Sequence, residues 1–386
     1  MPLAYFRCPS FLLTDGNGKK VLISEIQSCI MYEVVVMDLK RRIFMQEKVI
    51  VAVDAMGGDN APAEIVKGVV DAVSQNDNIV VKLVGQESVV SQELKKYTYR
   101  ENAIQVVNAT EIIETGEPPV MAIRRKKDSS IVVALNLVKK GEADAFVSAG
   151  SSGAILVGGQ LIVGRIKGVD RPPFAPLIPT KKGVSLLVDC GANVDARPAH
   201  LLQFAKMGSI YMEYVLGVKN PKVAIVNIGA EEEKGNQLVK ETYPLLKECK
   251  EINFVGSVEA RDIPEGDVDV IVTEAFVGNV ILKLYEGMGS TLIGMIKAGM
   301  MTSLRSKIGA LLVKPALKKT LKRFDATEYG GAPMIGLNGL VVKTHGNAKA
   351  KEVCNSILQC MTFKGQGIND KIKASIAAEQ TDAKEN

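Results

Sequence analysis

Short apolar runs rich in β-branched residues alternate with longer amphipathic stretches along most of the chain. The first run, residues 49–53, reads Val-Ile-Val-Ala-Val and leads into the glycine-rich turn Gly57-Gly58-Asp59-Asn60. Residues 63–73 then repeat apolar side chains at helical spacing. This order predicts a buried strand, a turn and a helix.

The same order recurs along the chain. Further strands are predicted at residues 80–84, 145–147, 185–188, 223–226, 268–272 and 340–342. Strands that alternate with helices are joined by right-handed crossovers into a mostly parallel sheet. The predicted fold is therefore α/β, with a mostly parallel sheet flanked by helices in three layers. Ligands of such sheets bind beyond the carboxyl ends of the strands.

Residues 287–325 interrupt this order with two amphipathic pieces, which predict a helical hairpin inserted into the sheet domain; Pro315 is expected to mark the break. Residues 287–324 contain eight Lys or Arg and no acid. Removing eight positive charges from the net charge of +5 leaves −3, so the cationic surface is local and favours an anionic partner rather than nucleic acid. The residues assigned to this surface are Leu292, Ile296, Lys297, Leu304 and Lys318.

The two ends of the chain differ from the domain between them. Residues 1–47 lack a sustained period and are taken as an N-terminal extension of unknown role. Residues 48–365 form the predicted catalytic domain, and residues 366–386 form a polar tail that is expected to fray after Lys373.

The composition narrows the functional classes. The six cysteines are scattered without the close pairs of zinc or redox motifs, so we expect reduced thiols and no metal. No apolar run reaches the roughly 18 residues of a membrane span. A cytoplasmic location is therefore expected.

The turn that follows the strand at residues 145–147 is the most informative candidate site. Residues 148–153 read Ser-Ala-Gly-Ser-Ser-Gly and lead into a helix. A helix start offers unpaired N–H groups and a positive dipole end, both of which favour phosphate. An ordinary helix cap is an equally good interpretation of this turn alone. The candidate phosphate ligands are Ser148, Gly150, Ser151, Ser152 and Gly153.

Other strand-end loops carry polar groups that we expect at the same edge. Asp54 follows the first strand, Asn193 lies in the loop Asp189-Cys190-Gly191-Ala192-Asn193, and Asn279 ends a similar loop. Cys190 is interpreted as a packed thiol, although His200 is a possible base for it. The basic runs place Lys127, Arg165 and Lys167 as candidate anion contacts. Neither glycine turn has the dinucleotide spacing or the P-loop Lys.

Together these loops resemble the bacterial acyl-carrier-protein:phosphate acyltransferase family over nearly all of the chain from Val49 to about Cys360. The matching motifs are Val53-Asp54-Ala55-Met56-Gly57-Gly58-Asp59, Lys126-Lys127-Asp128-Ser129-Ser130, Ser148-Ala149-Gly150, Val163-Gly164-Arg165-Ile166-Lys167-Gly168, Asp189-Cys190-Gly191-Ala192-Asn193, Phe276-Val277-Gly278-Asn279, Tyr329-Gly330-Gly331-Ala332-Pro333 and Lys343-Thr344-His345-Gly346. The chain departs from the family pattern at Ser151-Ser152, where Asn-Thr is usual, at Asn60, where His is frequent, and at Cys190, where an apolar residue is common.

The resemblance implies an architecture like that of phosphotransacetylases and isocitrate dehydrogenases. It also implies a reaction in which inorganic phosphate attacks the thioester of a long-chain acyl carrier protein without a cofactor. Asp54 is then an orienting group, and Asn193 and Asn279 are candidate oxyanion donors. The implied product is acyl-phosphate for phospholipid synthesis by a membrane glycerol-3-phosphate acyltransferase.

The resemblance further implies a homodimer at the inner face of the membrane. The hairpin has three interpretations: contact with anionic lipid, a dock for acidic acyl carrier protein, or a dimer interface. Three other functions remain open. They are a phosphotransacetylase-like enzyme that uses acyl-CoA, a hydroxy-acid dehydrogenase of related fold, and a non-catalytic scaffold that brings acyl carrier protein to membranes.

Overall fold

The computed structural model describes residues 12–14, 20–22, 48–322 and 325–385. The chain divides into two compact units, residues 1–47 and 48–386. In the first unit, Leu12–Thr14 (β1) and Lys20–Leu22 (β2) pair in antiparallel fashion. Most of the N-terminal extension lies outside the described residues, so its role stays open.

The second unit contains two sheets with helices around them. Its strands are β3 (Val49–Asp54), β4 (Ile79–Gly85), β5 (Ile104–Asn108), β6 (Ala145–Ser148), β7 (Leu177–Thr180), β8 (Gly183–Val188), β9 (Lys222–Asn227), β10 (Asn253–Glu259), β11 (Val270–Val272), β12 (Ala332–Met334) and β13 (Leu340–Lys343). The six-stranded sheet has the order β12-β13-β6-β3-β4-β5, and the five-stranded sheet has the order β10-β9-β11-β8-β7. Only the pairs β12–β13 and β7–β8 are antiparallel within these two sheets.

The helices of the second unit follow the strands in the expected alternation. They are α1 (Ala63–Gln75), α2 (Glu87–Leu94), α3 (Pro119–Arg125), α4 (Ser130–Lys139), α5 (Ser152–Gly158), α6 (Pro198–Leu216), α7 (Gln237–Glu248), α8 (Ala275–Met300), α9 (Leu304–Lys322), α10 (Ala350–Gln366) and α11 (Ile368–Glu385). A π-helical turn, Gly159–Val163, continues α5, and 3₁₀ turns occupy Ile263–Glu265 and Ala326–Tyr329.

Both faces of β3 are buried. Val51 and Val53 face one core cluster together with Ile65 of α1, whereas Ala52 faces a second cluster together with Ile131 of α4. A strand covered on both faces needs apolar residues at every position, which explains the unbroken run of residues 49–53. Asp54 then ends β3 at the carboxyl edge of the sheet.

The inserted segment forms two helices, but their boundary differs from the prediction. Helix α8 runs without interruption to Met300, and α9 begins at Leu304 and contains Pro315. The Ser303 hydroxyl accepts the Ser306 N–H at 3.1 Å and so caps the start of α9. The expected break at Pro315 is therefore wrong: the chain turns at residues 301–303, and the Ser303 cap starts the second helix there.

The hairpin exposes many large apolar side chains. Leu292, Lys297, Leu304 and Lys318 are exposed, and Ile296 is half-buried. The exposed apolar side chains of the two hairpin helices and the turn between them include Met288, Leu292, Ile293, Met295, Met301, Leu304, Ile308, Leu311, Leu312 and Val313. A contiguous apolar surface of this kind indicates an interaction site.

The expected frayed end after Lys373 is wrong. Residues 368–385 form helix α11, which packs against α6. Ile368, Ile372 and Ile376 are buried at a spacing of four residues. This apolar stripe orders a segment whose overall composition is polar.

Candidate functional site

Asp54 and Ser148 meet at the carboxyl edge of the six-stranded sheet. Their strands are parallel neighbours, with Val53 opposite Val147. The Ser148 hydroxyl donates to Asp54 Oδ2 at 2.6 Å, and the Gly150 N–H donates to Ser148 Oγ at 2.9 Å. The structure thus joins two of the sequence-predicted residues in one buried network.

Burial sets the electrostatics of Asp54. Loss of solvent raises the pKa of its carboxyl, whereas hydrogen bonds from Ser130, Ser148 and the N–H groups of Met56 and Gly57 oppose that shift. The Met56 N–H donates to Asp54 Oδ1 at 3.1 Å. Asp54 therefore orders two loops at once, one from its own strand and one from β6.

In the predicted phosphate turn, some hydrogen-bond donors already have an acceptor within the protein and others do not. Ser148 and Gly150 hydrogen-bond within the network just described, and Ser151 Oγ accepts the Ala154 N–H at 3.4 Å as the cap of α5. Within the described chain, the N–H groups of Ser152 and Gly153 donate to no acceptor. Ser152 is also exposed. The donors available to an anion therefore lie at the start of α5, whereas Ser148 and Gly150 hold the turn in place.

The end of β13 completes this edge, and sequence reasoning assigned no role to its residues. Lys343 lies opposite Ser148, and the Thr344 N–H donates to Ser148 O at 2.9 Å. The Thr344 hydroxyl is buried without a hydrogen-bond partner among the described residues. The motif Lys343-Thr344-His345-Gly346 at the end of an apolar strand was the available signal, but the sequence does not reveal that β13 adjoins β6.

Two basic side chains, Lys343 and His345, lie at this end of β13. Burial lowers the pKa of Lys343 to about 8, although the charges of Glu352 and Asp59 oppose the shift. His345 Nε2 lies 3.2 Å from Glu286 Oε1 of α8, and this contact raises the pKa of the imidazole. The edge therefore combines free N–H groups, a hydroxyl and positive charge, which suit an anionic ligand.

Asp189 has a similar position at the end of β8 in the second sheet. Its carboxylate accepts five N–H groups: those of Phe174, Gly191, Ala192 and Asn193, and the Asn193 side-chain amide. Burial raises the pKa of Asp189 to about 6, and these hydrogen bonds oppose a further rise. Asp189 is thus the centre of a rigid loop.

The structure contradicts the prediction that the Asn193 amide is an oxyanion donor. Asn193 Nδ2 donates to Asp189 Oδ2 at 2.8 Å and to Pro172 O at 3.2 Å. An amide nitrogen has only two protons, so both are used inside the loop. Asn193 fixes the loop, whereas Asn279, half-buried in the second turn of α8, stays a predicted donor.

Helix α8 approaches the Asp189 loop very closely through a glycine. A Cβ atom built on Gly278 would lie 1.9 Å from Asp189 O. Cys190 beside it is buried, and burial raises the pKa of its thiol well above the usual value. These contacts agree with a packed thiol at Cys190 rather than a nucleophile.

The predicted anion contacts are not all at this edge. Lys127 is exposed and donates to Ile123 O at 3.3 Å, and Lys167 is exposed. Arg165 donates through Nη1 to Asp170 O and lines a separate cleft. In the described ranges, His, Cys, Asp and Glu side chains nowhere form a group of three that could hold a metal ion.

Asp189 predicts a measurable dependence of stability on pH. Because its folded pKa of about 6 exceeds the ordinary 3.8, the folded state holds the proton more tightly, and stability falls as pH rises from about 4 to 6. The expected loss is about 3 kcal/mol. Urea unfolding at pH 4 and pH 7 checks this: Asp189→Asn should reduce the difference between the two values, and the exposed Asp77→Asn should retain it. An equal pH effect in Asp189→Asn and wild type would contradict the assignment.

Sequence comparison places this site among known proteins. Residues 49–371 match the family described as Fatty acid synthesis protein. A phosphate acyltransferase from Clostridium acetobutylicum is 51% identical over 327 residues, which cover 85% of this chain and 98% of that protein. One from Clostridium botulinum is 52% identical over 324 residues, with coverage of 84% and 97%.

Structural comparison concerns the fold. A phosphotransacetylase from Staphylococcus aureus is similar with a TM-score of 0.55 and 17% identity, covering 87% of this chain and 98% of its own. A phosphotransacetylase from Streptococcus pyogenes gives a TM-score of 0.56 at 15% identity, with coverage of 86% and 98%. The predicted α/β fold with mostly parallel strands is confirmed, and at these identities the likeness says nothing more. No helix among the described residues has the length and apolar character needed to cross a membrane.

Proposed function

We propose that this chain uses a long-chain acyl carrier protein thioester as acyl donor and inorganic phosphate as acceptor. The chain belongs to the family described as Fatty acid synthesis protein, and it is an acyltransferase that moves acyl groups to or from phosphate. The family resemblance found in the sequence is thereby confirmed. The family comparison covers acyl transfer to or from phosphate; the proposal adds the carrier protein as acyl donor and the long acyl chain. The product, acyl-phosphate, then serves phospholipid synthesis through a membrane glycerol-3-phosphate acyltransferase.

The observation that carries the proposal is the edge formed by β3, β6 and β13. It presents the free N–H groups of Ser152 and Gly153 beside the Asp54–Ser148 network, and Lys343 of β13 lies opposite Ser148 in the sheet. Phosphate needs hydrogen-bond donors and positive charge in a fixed geometry. We assign it to this edge, with Asp54 as the group that orients the turn.

The reaction needs no reactant beyond the acyl thioester and phosphate. An oxygen of hydrogen phosphate attacks the thioester carbonyl carbon, the C–S bond breaks, and the electron pair leaves on sulfur. The proton of the hydrogen phosphate ends on the thiol, which balances the reaction. Positioning of the reactants contributes about 7–11 kcal/mol in such transfers, and one oxyanion donor contributes about 3–4 kcal/mol. Asn279 is our candidate for that donor.

Trapping of the product with hydroxylamine tests the proposal. The enzyme and phosphate are incubated with acyl carrier protein thioester, with acyl-CoA or with neither, and acyl-hydroxamate is measured. Product from the carrier thioester at much higher kcat/KM than from acyl-CoA supports the proposal. Faster turnover of acyl-CoA indicates the phosphotransacetylase-like alternative, and binding of the carrier without any product indicates a scaffold.

Replacement of both Ser151 and Ser152 by Ala is expected to raise the phosphate KM by about tenfold, because two hydroxyl donors beside the anion are lost. Ser151 also caps α5, so a modest loss of stability is expected as well. Initial rates at varied phosphate measure the effect. Ser74→Ala, a serine in α1 whose hydroxyl bonds only its own helix, is the control. An unchanged phosphate KM in the double variant would exclude these hydroxyls.

For the hairpin α8–α9 we propose peripheral contact with anionic membrane, on the inner face in the cell. Its described residues combine exposed Leu and Met side chains with exposed Lys and Arg, the two components of interfacial binding. A homodimer is also proposed for this chain. The same apolar side chains are available to a second copy, so the two contacts compete for one surface.

Liposome flotation separates these roles. The variant Leu292→Glu/Ile296→Glu is expected to lose at least tenfold in the fraction bound to anionic vesicles, because it adds two charges to the apolar side. Ser290→Glu/Thr291→Glu adds the same charge at exposed polar positions of α8 and is the matched control. Retained flotation of the first variant would exclude lipid contact through this side. Light scattering of both variants reports the oligomeric state.

A further inference from the structure

A cleft of about 410 Å³ lies beside the π-helical turn that follows α5. Its walls are the π-helical turn, the segment after that turn and the start of α6. Three guanidinium groups line it, those of Arg165, Arg171 and Arg197, together with one carboxylate, that of Asp170. The lining therefore has an excess of two positive charges, which favours an anion.

The cleft has a fixed wall because its two sides are tied together. The Asp170 N–H donates to Gln203 Oε1 at 3.1 Å, and Gln203 Nε2 donates to Gly168 O at 2.9 Å. Gln203 lies on α6, so these two bonds hold the arginine segment against that helix. A preformed geometry of this kind reduces the ordering cost of binding a ligand.

His200 supplies the observation that points to a ligand. The ring is 98% buried, and its Nδ1 accepts the Arg197 backbone N–H at 3.1 Å. In the neutral imidazole, the proton must then be on Nε2. Nε2 lies 3.2 Å from Arg197 Nη2, which is itself always a donor. Two donors therefore stand side by side, and neither can accept from the other.

An oxygen anion resolves this conflict. One anionic oxygen can accept from both His200 Nε2 and Arg197 Nη2, and the exposed Arg171 can bind the same group in a bidentate manner. Burial lowers the pKa of His200, and the charges of Arg197 and Arg171 lower it further while that of Asp170 opposes them, so all three charges lie near the ring. The geometry thus matches a phosphate group better than it matches a neutral ligand.

The cleft adjoins the Asp189 loop of the second sheet. Arg171 is followed by Pro172, whose carbonyl accepts from Asn193 Nδ2, and Phe174 donates to Asp189 Oδ1. Arg197 lies four residues beyond Asn193 on the same loop. An anion bound in the cleft would therefore lie beside the Asp189 loop. It would be a second anionic group, distinct from the phosphate that we assign to the start of α5.

We propose that the cleft lined by Arg165, Arg171 and Arg197 binds the phosphate of the phosphopantetheine arm that carries the acyl thioester. This inference rests on the proposed function, because the thioester donor of that reaction carries such an arm. Acyl carrier protein and coenzyme A share this chemistry. The cleft fixes the donor at its phosphate, while inorganic phosphate binds separately at the start of α5.

Calorimetric titration with free phosphopantetheine and with pantetheine, which lacks the phosphate, tests the inference without turnover. Wild type is expected to bind phosphopantetheine at least tenfold more tightly. Arg171→Gln and Arg197→Gln should each remove most of this difference, since each deletes a charge-assisted contact. Arg261→Gln, an exposed arginine that pairs with Glu259 outside the cleft, should retain it. Equal binding of both probes by wild type, or an unchanged difference in both cleft variants, overturns the inference.

Steady-state rates with different acyl donors then distinguish the cleft inference from the proposed identity of the donor. Arg171→Gln should lower kcat/KM at least tenfold with acyl carrier protein and with acyl-phosphopantetheine, but less than twofold with acyl-pantetheine, and should leave the phosphate KM unchanged. A raised phosphate KM would show that the cleft holds the acceptor, which overturns the inference. If wild type prefers acyl-CoA, the donor proposal fails, yet the same phosphate-dependent loss with acyl-CoA still supports the cleft.

Discussion

Replacing Gly278 by Ala is expected to lower kcat/KM by about 100-fold or more and to destabilise the fold. A Cβ at this position would lie 1.9 Å from Asp189 O and 2.9 Å from the Asp189 carbonyl carbon. Neither atom belongs to a flexible side chain, so the first turn of α8 must move away from the Asp189 loop. A displacement of about 1 Å at a catalytic site costs on the order of 100-fold in rate, and overpacking costs about 1–3 kcal/mol.

The same helix provides the control for Gly278→Ala. A Cβ on Gly294 meets nothing within 4 Å among the described residues. Gly294→Ala is therefore expected to leave activity unchanged and to stabilise α8 by up to about 1 kcal/mol. Steady-state rates and thermal unfolding of the two variants measure both effects. Normal activity in Gly278→Ala would show that the helix and the loop do not need this close approach.

The second large effect is expected from Asp54→Asn, with a loss of about 100-fold or more in kcat/KM. The Asp54 carboxylate accepts the Ser148 hydroxyl and the Met56 N–H. Asn has a single acceptor oxygen, so one of these buried donors would face an NH₂ group. An unsatisfied buried donor costs about 1–3 kcal/mol, and the turn that presents Ser152 and Gly153 loses its anchor.

A double-mutant cycle sharpens the Asp54 test. If Asp54 acts through Ser148, the variant Asp54→Asn/Ser148→Ala loses no more activity than the worse single variant. Kinetic constants and unfolding free energies of the four proteins give the coupling energy. Independent, additive losses would contradict the shared network and would place Asp54 in a role of its own.

The sequence identified every central strand of the two sheets and none of the four edge strands. The missed strands are β5, β7, β10 and β12, each at one end of its sheet. Two of them contain proline, Pro179 and Pro333, which argues against a strand in sequence yet is tolerated at an edge. Edge strands need apolar residues at fewer positions, so their pattern is weaker. The strands form two sheets, and sequence periodicity does not reveal which strands pair.

The sequence predicted those site residues that directly follow an apolar strand in the chain. Asp54, Ser148 and the start of α5 all follow apolar runs, and their common edge follows from parallel pairing. Lys343 and His345 were not identified because their position depends on β13 lying beside β6, nearly 200 residues earlier in the chain. Sequence periodicity gives strand positions, whereas strand order depends on tertiary packing.

Two residue assignments show the limit of reasoning from residue type. Asn193 has the amide that an oxyanion donor needs, but the fold uses both of its protons within the Asp189 loop. Arg197 and His200 were not recognised as a pair, because neither belongs to a glycine-rich turn. Only their side-chain geometry, two donors 3.2 Å apart, distinguishes them from an ordinary helix start.

Helix α8 is one continuous rod of 26 residues, about 39 Å long at 1.5 Å per residue. Its first turn packs on Asp189, its fourth turn carries Glu286, which contacts His345, and its second half exposes the apolar side of the hairpin. A contact that holds the hairpin end of α8 therefore also affects the position of its first turn at Asp189, because the helix between them is stiff. If a surface that binds the hairpin changes the affinity for substrate, thermodynamic linkage requires substrate to change the affinity for that surface by the same factor.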